Sequence, residues 1–288
     1  MALRVVDFHA GWEKIQRAID RIVSFVDDNG VIRDENFRLF SACESMSIYE
    51  TVYNLCTQKD PNYEKELYRR YEDFFHHYIN TRVLPAMRGK SGEHLLRETV
   101  RRWRDYKFIM RWMKLFFLYL DQFFVGRYNR PTIRNAALLI LHNLVYEEMK
   151  GDIISTVLSL INEDRDGKPV DRTLVKQVLE VVFDLQSETL NVPYQTDFEP
   201  ALLDSSGAYY ALKMVNWLQN LPYPEYMFQV VECLNAENFR AMQYLHPSTV
   251  PKLLERTKFE IANPDRIDAN CLAGKVQQLK LGSNSYYC

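Results

Sequence analysis

The chain has 288 residues, of which 47% are hydrophobic and 26% are charged. This balance is typical of a globular protein, and the length suits one large domain or two domains of ordinary size. The formal net charge of −2 predicts neither a nucleic-acid-binding surface nor electrostatic attachment to an anionic membrane.

Helical periodicity runs through most of the chain. Apolar residues recur at intervals of three and four between Trp12 and Val26, and residues 27–30 then provide a stop signal. Equivalent patterns predict further helices over residues 45–59, 63–86, 93–106, 107–126, 132–163, 171–186, 208–220, 224–244 and 250–261. No Gly or Pro separates the two helices that meet near residue 106, so their boundary stays open. Period-two alternation flanked by hairpin turns is absent, which predicts an all-α protein.

Long helices joined by short connections are typical of stacked helical units, and we predict an α-solenoid. Residues 125–131, VGRYNRP, mark the division between two halves of similar length. We therefore predict a first domain at residues 1–130 and a second at residues 131–262. Residues 263–288 lose clear periodicity and gain small polar residues, which predicts a divergent, disordered tail.

No segment has the pattern of a signal peptide or a membrane span. The N-terminal stretch meets charge before any apolar run develops. The most apolar stretch, residues 108–126, is interrupted by four polar residues, namely Arg111, Lys114, Asp121 and Gln122. Five cysteines without metal-ligand spacing indicate reduced thiols in an intracellular protein. We expect a soluble protein of the cytoplasm and nucleus, without membrane or nucleic-acid partners.

Two short motifs resemble known binding loops but lack an essential residue. Residues 89–94, GKSGEH, follow Leu84, which stands where a phosphate-binding loop needs its first glycine. Residues 162–167, NEDRDG, match the first half of a calcium-binding EF-hand loop, but Thr173 occupies the position of the closing bidentate glutamate. Both motifs are better interpreted as turns between helices.

The remaining titratable residues form no recognisable catalytic group. His76 and His77 follow Glu72 and Asp73 at i,i+4 spacing, but adjacent histidines point about 100° apart on a helix and cannot chelate one metal together. No serine or cysteine has a recognisable base-bearing partner. Residues 101–107, RRWRDYK, predict a solvated helix face with a buried tryptophan. We expect no catalytic residue, metal or cofactor, and keep an all-α enzyme with a pocket between helices as the alternative.

The helix predicted over residues 45–59 carries more apolar surface than a surface helix needs. On a helical wheel its core stripe consists of Ile48, Val52, Leu55 and Cys56. A second apolar group lies beside that stripe and consists of Met46, Tyr49 and Tyr53, whereas Thr51 falls on the remaining, polar side. The helix predicted over residues 107–126 shows the same excess, with Tyr119 and Phe123 outside its polar stripe. Such residues have the chemistry of a protein-interface anchor, with burial in an inner helix as the alternative.

Residues 48–57, IYETVYNLCT, resemble the second helix of the cullin N-terminal region, where the pattern L-Y-x-x-V-Y-N-x-C-T recurs. Other segments are similar to cullins in the same order along the chain. They are GWEKIQRAI, VLPAMRGKSGEHLLRETVRRWRDYKFIMRWMKLFFLYLDQFFV, VLSLINEDRDGKPVDRTLVKQVLEVV, YQTDFEPALLDSSGAYYALKMVNWLQ and PEYMFQVVECLNAENFRAMQYLHPSTVPKLLE. The resemblance covers residues 8–262 and is greatest for the cullin-1 type.

Cullins are scaffolds of multi-subunit ubiquitin ligases. The resemblance therefore implies two stacked five-helix cullin repeats that form a non-catalytic arm of an SCF-type ligase in ubiquitin-dependent protein degradation. It also implies that the second and fifth helices of the first repeat bind a Skp1-like adaptor carrying an F-box substrate receptor. By this resemblance the adaptor site consists of Met46, Tyr49, Tyr53, Tyr119 and Phe123, and the segment before Trp12 touches the receptor.

This chain departs from the cullin pattern in two respects. Ser45 stands where the adaptor-binding helix of the family usually opens with an aromatic residue, and loss of such an anchor can cost about 2 kcal/mol or more. The similarity ends after Ile261, before the half that recruits the RING subunit in the family. We therefore expect no RING partner, and a competitor of the full-length scaffold is an alternative. A BTB-fold adaptor of another cullin class is an alternative occupant of the same face.

Overall fold

The computed structural model describes residues 6–29, 37–185 and 193–262, and within those ranges it contains helices and no strands. Its first six α-helices are α1 (Phe8–Asn29), α2 (Ala42–Thr57), α3 (Glu64–Tyr78), α4 (Leu84–Met87), α5 (Gly92–Phe116) and α6 (Val125–Tyr128). The next six are α7 (Ile133–Leu141), α8 (Glu147–Arg165), α9 (Arg172–Asp184), α10 (Glu199–Asn220), α11 (Tyr223–Tyr244) and α12 (Thr249–Ile261). The predicted all-α class is confirmed.

Single π-helical turns join some of these helices into longer rods. Helix α3 continues through Ile79–Val83 into α4, and α7 continues through His142–Tyr146 into α8. Similar turns at Leu120–Phe124 and Tyr194–Phe198 lead directly into α6 and α10. Twelve α-helices with two such joins make ten rods in the described residues, which is the number that two five-helix repeats require.

The sequence predicts no membrane span, two domains and a disordered tail for the whole chain, whereas the structure describes only part of it. No helix within the described ranges is both long enough and apolar enough to span a bilayer. The division into repeats after residue 130 stays a prediction. The tail predicted as disordered, residues 263–288, lies outside the described residues.

The structure corrects two predicted helix boundaries. The separate helices predicted over residues 93–106 and 107–126 are wrong, because α5 runs unbroken to Phe116 and the chain leaves helical geometry only at Phe117 (φ −100°, ψ 17°). The predicted start of a helix at residue 208 is also wrong, because α10 begins at Glu199. Pro200 lies in the first turn of α10, directly after the π-helical turn Tyr194–Phe198.

The first compact unit comprises the described residues between Met1 and Ile161 and between Val170 and Asp197. Aromatic rings fill much of its core, and the fully buried ones include Tyr71, Phe75, Tyr106, Phe116 and Phe117. The rings contact one another directly: Phe75 lies 4.9 Å from Tyr71 and 5.1 Å from Tyr106, measured between ring centroids. Rings of α3 and α5 are thereby in direct contact.

Three tyrosine hydroxyls attach α3 and α5 to the start of α7. The donors are Tyr68, Tyr71 and Tyr106, and their acceptors are the main-chain carbonyl oxygens of Pro131, Ile133 and Ala137, at 2.9, 2.7 and 2.7 Å respectively. Burial raises the pKa values of Tyr71 and Tyr106 well above the ordinary range, so both hydroxyls stay protonated donors.

The second compact unit comprises Asn162–Pro169 and the described residues from Phe198 onward. Its apolar core lies among α10, α11 and α12 and includes Tyr210, Met214, Tyr226, Val230 and Ile261. The hydroxyl of Tyr226 donates a hydrogen bond to the main-chain carbonyl of Ile261. This bond attaches the start of α11 to the end of α12.

A buried ion pair between Arg165 and Glu237 lies within the second unit. Their side chains are 1% and 2% exposed, and Arg165 Nη2 lies 2.6 Å from Glu237 Oε1. Arg165 also donates to Ser206 Oγ at 2.7 Å, while Tyr210 and Arg240 donate to Glu237 Oε2 at 2.5 and 2.8 Å. Both charges are therefore paired and hydrogen-bonded, which offsets the cost of removing them from water.

Candidate protein-binding surface

Helix α2 begins at a complete capping box. Ser41 Oγ accepts a hydrogen bond from the N–H of Glu44 at 3.2 Å, and Glu44 Oε2 accepts one from the N–H of Ser41 at 2.8 Å. Arg21 of α1 donates to Glu44 Oε1 at 2.8 Å. The Ser41 N–H and the Arg21 guanidinium together lower the pKa of Glu44 to about 2. These bonds fix the first turn of α2 beside α1.

The apolar stripe predicted for α2 is buried as expected. Its four members are 0–5% exposed, namely Ile48, Val52, Leu55 and Cys56. Thr51, which the helical wheel assigned to the polar side, is also buried, because Lys14 Nζ of α1 donates to its Oγ1 at 3.0 Å. Met46, Tyr49 and Tyr53, which lie at the edge of this stripe, are not buried in the core.

The five residues predicted as an adaptor site form one continuous surface, which we call the aromatic surface: Met46, Tyr49, Tyr53, Tyr119 and Phe123. Ring centroids lie 6.3 Å apart between Tyr49 and Tyr53, 5.4 Å between Tyr53 and Tyr119, and 4.9 Å between Tyr119 and Phe123. Met46 is 56%, Tyr53 39% and Phe123 51% exposed, and the other two are half-buried. Exposed rings and a thioether of this kind suit the recognition of another protein.

Tyr119 and Phe123 belong to the helix that starts after the break at Phe117. Within its π-helical turn, Leu120–Phe124, the side chain of Phe124 is buried while that of Phe123 is half exposed. Asp121 Oδ1 accepts a hydrogen bond from the N–H of Ile133 at 2.6 Å, which fixes this turn to α7. Burial raises the pKa of Tyr119, so its hydroxyl remains a neutral donor at physiological pH.

An open groove of about 1110 Å³ adjoins the aromatic surface at Met46 and Tyr49. Phe40 and Trp112 are buried and meet edge-to-face in its wall, with centroids 4.9 Å apart. Other residues of the wall are Ser45, Leu115 and Leu118. Neither leucine could be assigned to a surface from the sequence, because no Gly or Pro indicates the helix break at Phe117 that separates them.

Ser45, the position of the missing aromatic anchor, lines this groove. Its Oγ donates to the main-chain carbonyl of Ser41 at 3.0 Å, so the hydroxyl is bonded within its own helix. A side chain this small leaves the space between α2 and α5 open. Its effect on the affinity for a partner stays a prediction.

The loop motifs noted in the sequence lie at helix ends, as expected. Residues 89–94 connect α4 to α5 and form the first turn of α5. Asn162 Oδ1 accepts from Arg165 at 2.8 Å, and Asp166 Oδ1 accepts from Tyr209 at 2.7 Å. These oxygens are thus bound to donors within the protein. In the part of the chain that the structure describes, no group of three or more His, Cys, Asp or Glu side chains could hold a metal ion.

Comparison with known proteins gives one family. Residues 12–266 match the Cullin alpha solenoid domain. The chain is 37% identical over 259 residues to Cullin-1 of Oryza sativa subsp. japonica, an alignment that covers 90% of this chain and 34% of that protein. Putative cullin-like protein 1 of Arabidopsis thaliana is 34% identical over 262 residues, or 91% of this chain and 35% of the relative. Cullin-like protein 3 of Arabidopsis thaliana is 30% identical over 250 residues, or 87% and 94%.

These relatives differ in how much of their length the chain represents. It spans about a third of the rice Cullin-1 and of the putative cullin-like protein 1, and 94% of Cullin-like protein 3. The family match includes all five residues of the aromatic surface and confirms the predicted α-solenoid of cullin repeats. The chain belongs to the cullin family.

Proposed function

We propose that this chain is a non-catalytic scaffold arm of an SCF-type, cullin-RING ubiquitin ligase in ubiquitin-dependent protein degradation. In this proposal its aromatic surface binds a Skp1-like adaptor that carries an F-box substrate receptor. The observation that carries the proposal is the contact between Tyr53 and Tyr119, which joins an exposed ring of α2 and a half-buried ring of the helix after Phe117 into one surface.

The composition of the aromatic surface supports a protein partner. Tyr and Met are enriched at the cores of protein interfaces, and Tyr is also enriched among the few residues that contribute most of the binding energy. The ring contacts preorganise Tyr49, Tyr53 and Tyr119, which reduces the entropy lost on binding. A continuous apolar surface is the feature expected of a binding arm, whereas an enzyme would need converging polar groups in a cavity.

The proposal extends to the N-terminal segment and to cellular location. Phe8 of α1 is buried against Tyr63, with ring centroids 4.8 Å apart, which holds the start of α1 close to the connection between α2 and α3. We propose that this segment touches the F-box receptor and that the chain acts in the cytoplasm and nucleus. Imaging of a fluorescent-protein fusion in cells tests the location.

Titration calorimetry against a Skp1-like adaptor bound to an F-box fragment tests the proposed function. We expect a dissociation constant in the micromolar range or below. The Tyr49→Ala, Tyr119→Ala double variant should weaken binding by at least thirtyfold, on the order of 2 kcal/mol, as for a hot spot. Circular dichroism and thermal unfolding establish that this variant is folded.

A matched control alters exposed apolar residues of the second unit. Phe228 and Met242 of α11 are 65% and 70% exposed, so the Phe228→Ala, Met242→Ala variant removes a comparable amount of apolar surface. It should bind the adaptor complex as the unmodified chain does. Absence of binding by the unmodified chain, or equal losses in both double variants, would contradict the proposal.

A further inference from the structure

The groove beside the aromatic surface has a basic rim. Among the described residues that line it, the charged ones are Arg38, Arg111 and Lys114, and none is acidic. Three cations around one concave surface produce a positive potential that attracts carboxylates and repels other cations. Because the chain as a whole has a formal net charge of −2, this potential is a local property of the groove.

Two of the three cations are available to a partner. Within the described residues, Arg38 and Lys114 make no ion pair and are exposed. Arg111 donates to the main-chain carbonyl of Phe37 at 2.5 Å and lies over the ring of Trp112 at 5.4 Å, but has no carboxylate partner there. Many other arginines of the first unit are paired; Arg88, for example, lies 2.7 Å from Glu148.

The wall of the groove is apolar, and contacts between its aromatic rings hold these side chains in place. Phe40 packs on Trp112 and on Phe116, with centroids 4.9 and 5.4 Å apart, and all three rings are buried. Leu115 and Met46 are 43% and 56% exposed and present aliphatic surface to an incoming side chain. A rigid apolar wall beneath a charged rim selects a ligand that has both kinds of group.

We propose that this groove binds an acidic segment of the adaptor–receptor complex, with one aliphatic or aromatic side chain of that segment inserted between Met46 and Leu115. This inference rests on the proposed function, because the groove and the aromatic surface share Met46 and Tyr49. Carboxylates on either side of the inserted residue pair with Arg38 and Lys114. The space left by Ser45 is filled by the partner's own side chain.

An acidic peptide fits the groove better than a nucleic acid does. A nucleic acid would match the three cations, but its backbone would leave Leu115 and Met46 uncovered or in contact with phosphate. A peptide offers carboxylates and an apolar side chain within a few residues of one another. The proposal is therefore specific for a polypeptide.

Association kinetics with the adaptor–F-box complex provide the first test. The Arg38→Glu, Lys114→Glu variant should lower both the association rate and the affinity about tenfold at low ionic strength, and the difference should shrink at high salt. Arg17→Glu, Lys176→Glu is the charge-matched control, because its side chains are 71% and 57% exposed and lie outside the groove. Equal rates and affinities for the two variants would overturn the proposal.

A peptide titration separates failure of this inference from failure of the proposed function. The probe is a synthetic nonapeptide with a central leucine flanked by four acidic residues on each side, and the signal is the indole N–H resonance of Trp112, assigned with Trp112→Phe. We expect a saturable shift in the unmodified chain and none in the charge-reversed variant. If the adaptor complex does not bind at all, the peptide titration alone tests this inference. The proposal is overturned if the peptide causes no shift, or if oligouridylate RNA causes a shift and the peptide does not.

Discussion

The ring of Tyr53 on α2 meets the ring of Tyr119 edge-to-face, with centroids 5.4 Å apart and an interplanar angle of 88°. Aromatic pairs in this geometry contribute about 0.5–1.5 kcal/mol beyond the area that they bury. Because Tyr53 is 39% exposed, we expect a coupling in the lower half of that range. A double-mutant cycle with Tyr53→Ala and Tyr119→Ala, followed by urea unfolding, measures it.

A second cycle serves as its control. Tyr128 is similarly exposed at 40%, but its ring contacts Phe124 at 4.6 Å. Tyr53→Ala and Tyr128→Ala should therefore have additive effects on the free energy of unfolding. Additivity in the Tyr53–Tyr119 cycle as well would show that the edge-to-face contact contributes nothing measurable.

Substitution of Ser41 by alanine should destabilise the start of α2. The change removes the acceptor for the N–H of Glu44 and breaks the capping box, which costs about 1 kcal/mol in typical helices. Chemical denaturation measures the loss. Ser45→Ala is the control. The Ser45 hydroxyl donates to the Ser41 carbonyl, which already accepts the helical hydrogen bond from the Ser45 N–H, so loss of the hydroxyl should change the free energy of unfolding little. Equal losses in the two variants would show that the cap itself is not responsible.

Removal of Glu237 should be the most destabilising of these changes. Glu237→Ala leaves the Arg165 guanidinium buried without its carboxylate partner, and breaking a buried pair in this way costs about 3–5 kcal/mol. Thermal or urea unfolding of the chain measures the effect. Glu255→Ala alters an exposed carboxylate of α12 and should be nearly neutral. A loss for Glu237→Ala below about 1 kcal/mol would contradict the assignment of this pair as a structural element.

The ion pair between Arg165 and Glu237 makes the free energy of unfolding depend on pH. Burial by itself raises the pKa of Glu237, but the Arg165 charge and the hydrogen bonds from Arg165, Tyr210 and Arg240 outweigh it, so the pKa lies below its ordinary value of 4.5. Because the pKa of Glu237 is lower in the folded state than in the unfolded state, its ionised form stabilises the protein at pH values above the unfolded-state pKa. This contribution is lost as the pH falls through the folded-state pKa. Unfolding followed between pH 7 and pH 2 should show that loss, and Glu237→Gln should reduce it.

Loss of one hydroxyl on α3 or α5 should weaken the attachment of α7. Tyr71→Phe and Tyr106→Phe each remove one buried donor and leave the ring in place, so each should lower the free energy of unfolding by about 1 kcal/mol. Tyr49→Phe changes a half-buried tyrosine of the aromatic surface and is the matched control. Unchanged stability in both buried variants would show that these hydrogen bonds add nothing to the packing of the rings.

The aromatic surface could be predicted in part from sequence, because the helical period separates Ile48 and Val52 from Tyr49 and Tyr53 on α2. The pairing of Tyr53 with Tyr119 could not follow from periodicity, since it depends on how two distant helices pack. The cullin resemblance supplied that link. Thr51 shows the opposite error: a wheel treats threonine as polar, whereas Lys14 supplies the hydrogen bond that lets it be buried.

The groove could not be predicted from the sequence either, because it also depends on how helices pack. Its shape depends on the end of α5 at Phe116, where the sequence has neither Gly nor Pro. Leu115 and Trp112 look alike in the sequence, as apolar residues of one long helix, yet the first is 43% exposed and the second buried. Helix breaks set by tertiary packing leave little local signal, so the side chains beside them are assigned wrongly.

The hydroxyl bonds of Tyr68, Tyr71 and Tyr106 end on carbonyl oxygens of the main chain. A main-chain carbonyl is present whatever side chain the residue carries, so changes at positions 131, 133 and 137 leave all three acceptors in place. The donors have no such freedom, because no other standard side chain combines a ring of this size with a terminal hydroxyl. The hydrogen bonds therefore require tyrosine at the three donor positions, whereas the acceptor residues Ile133 and Ala137 are restricted by their own burial in the core rather than by these bonds.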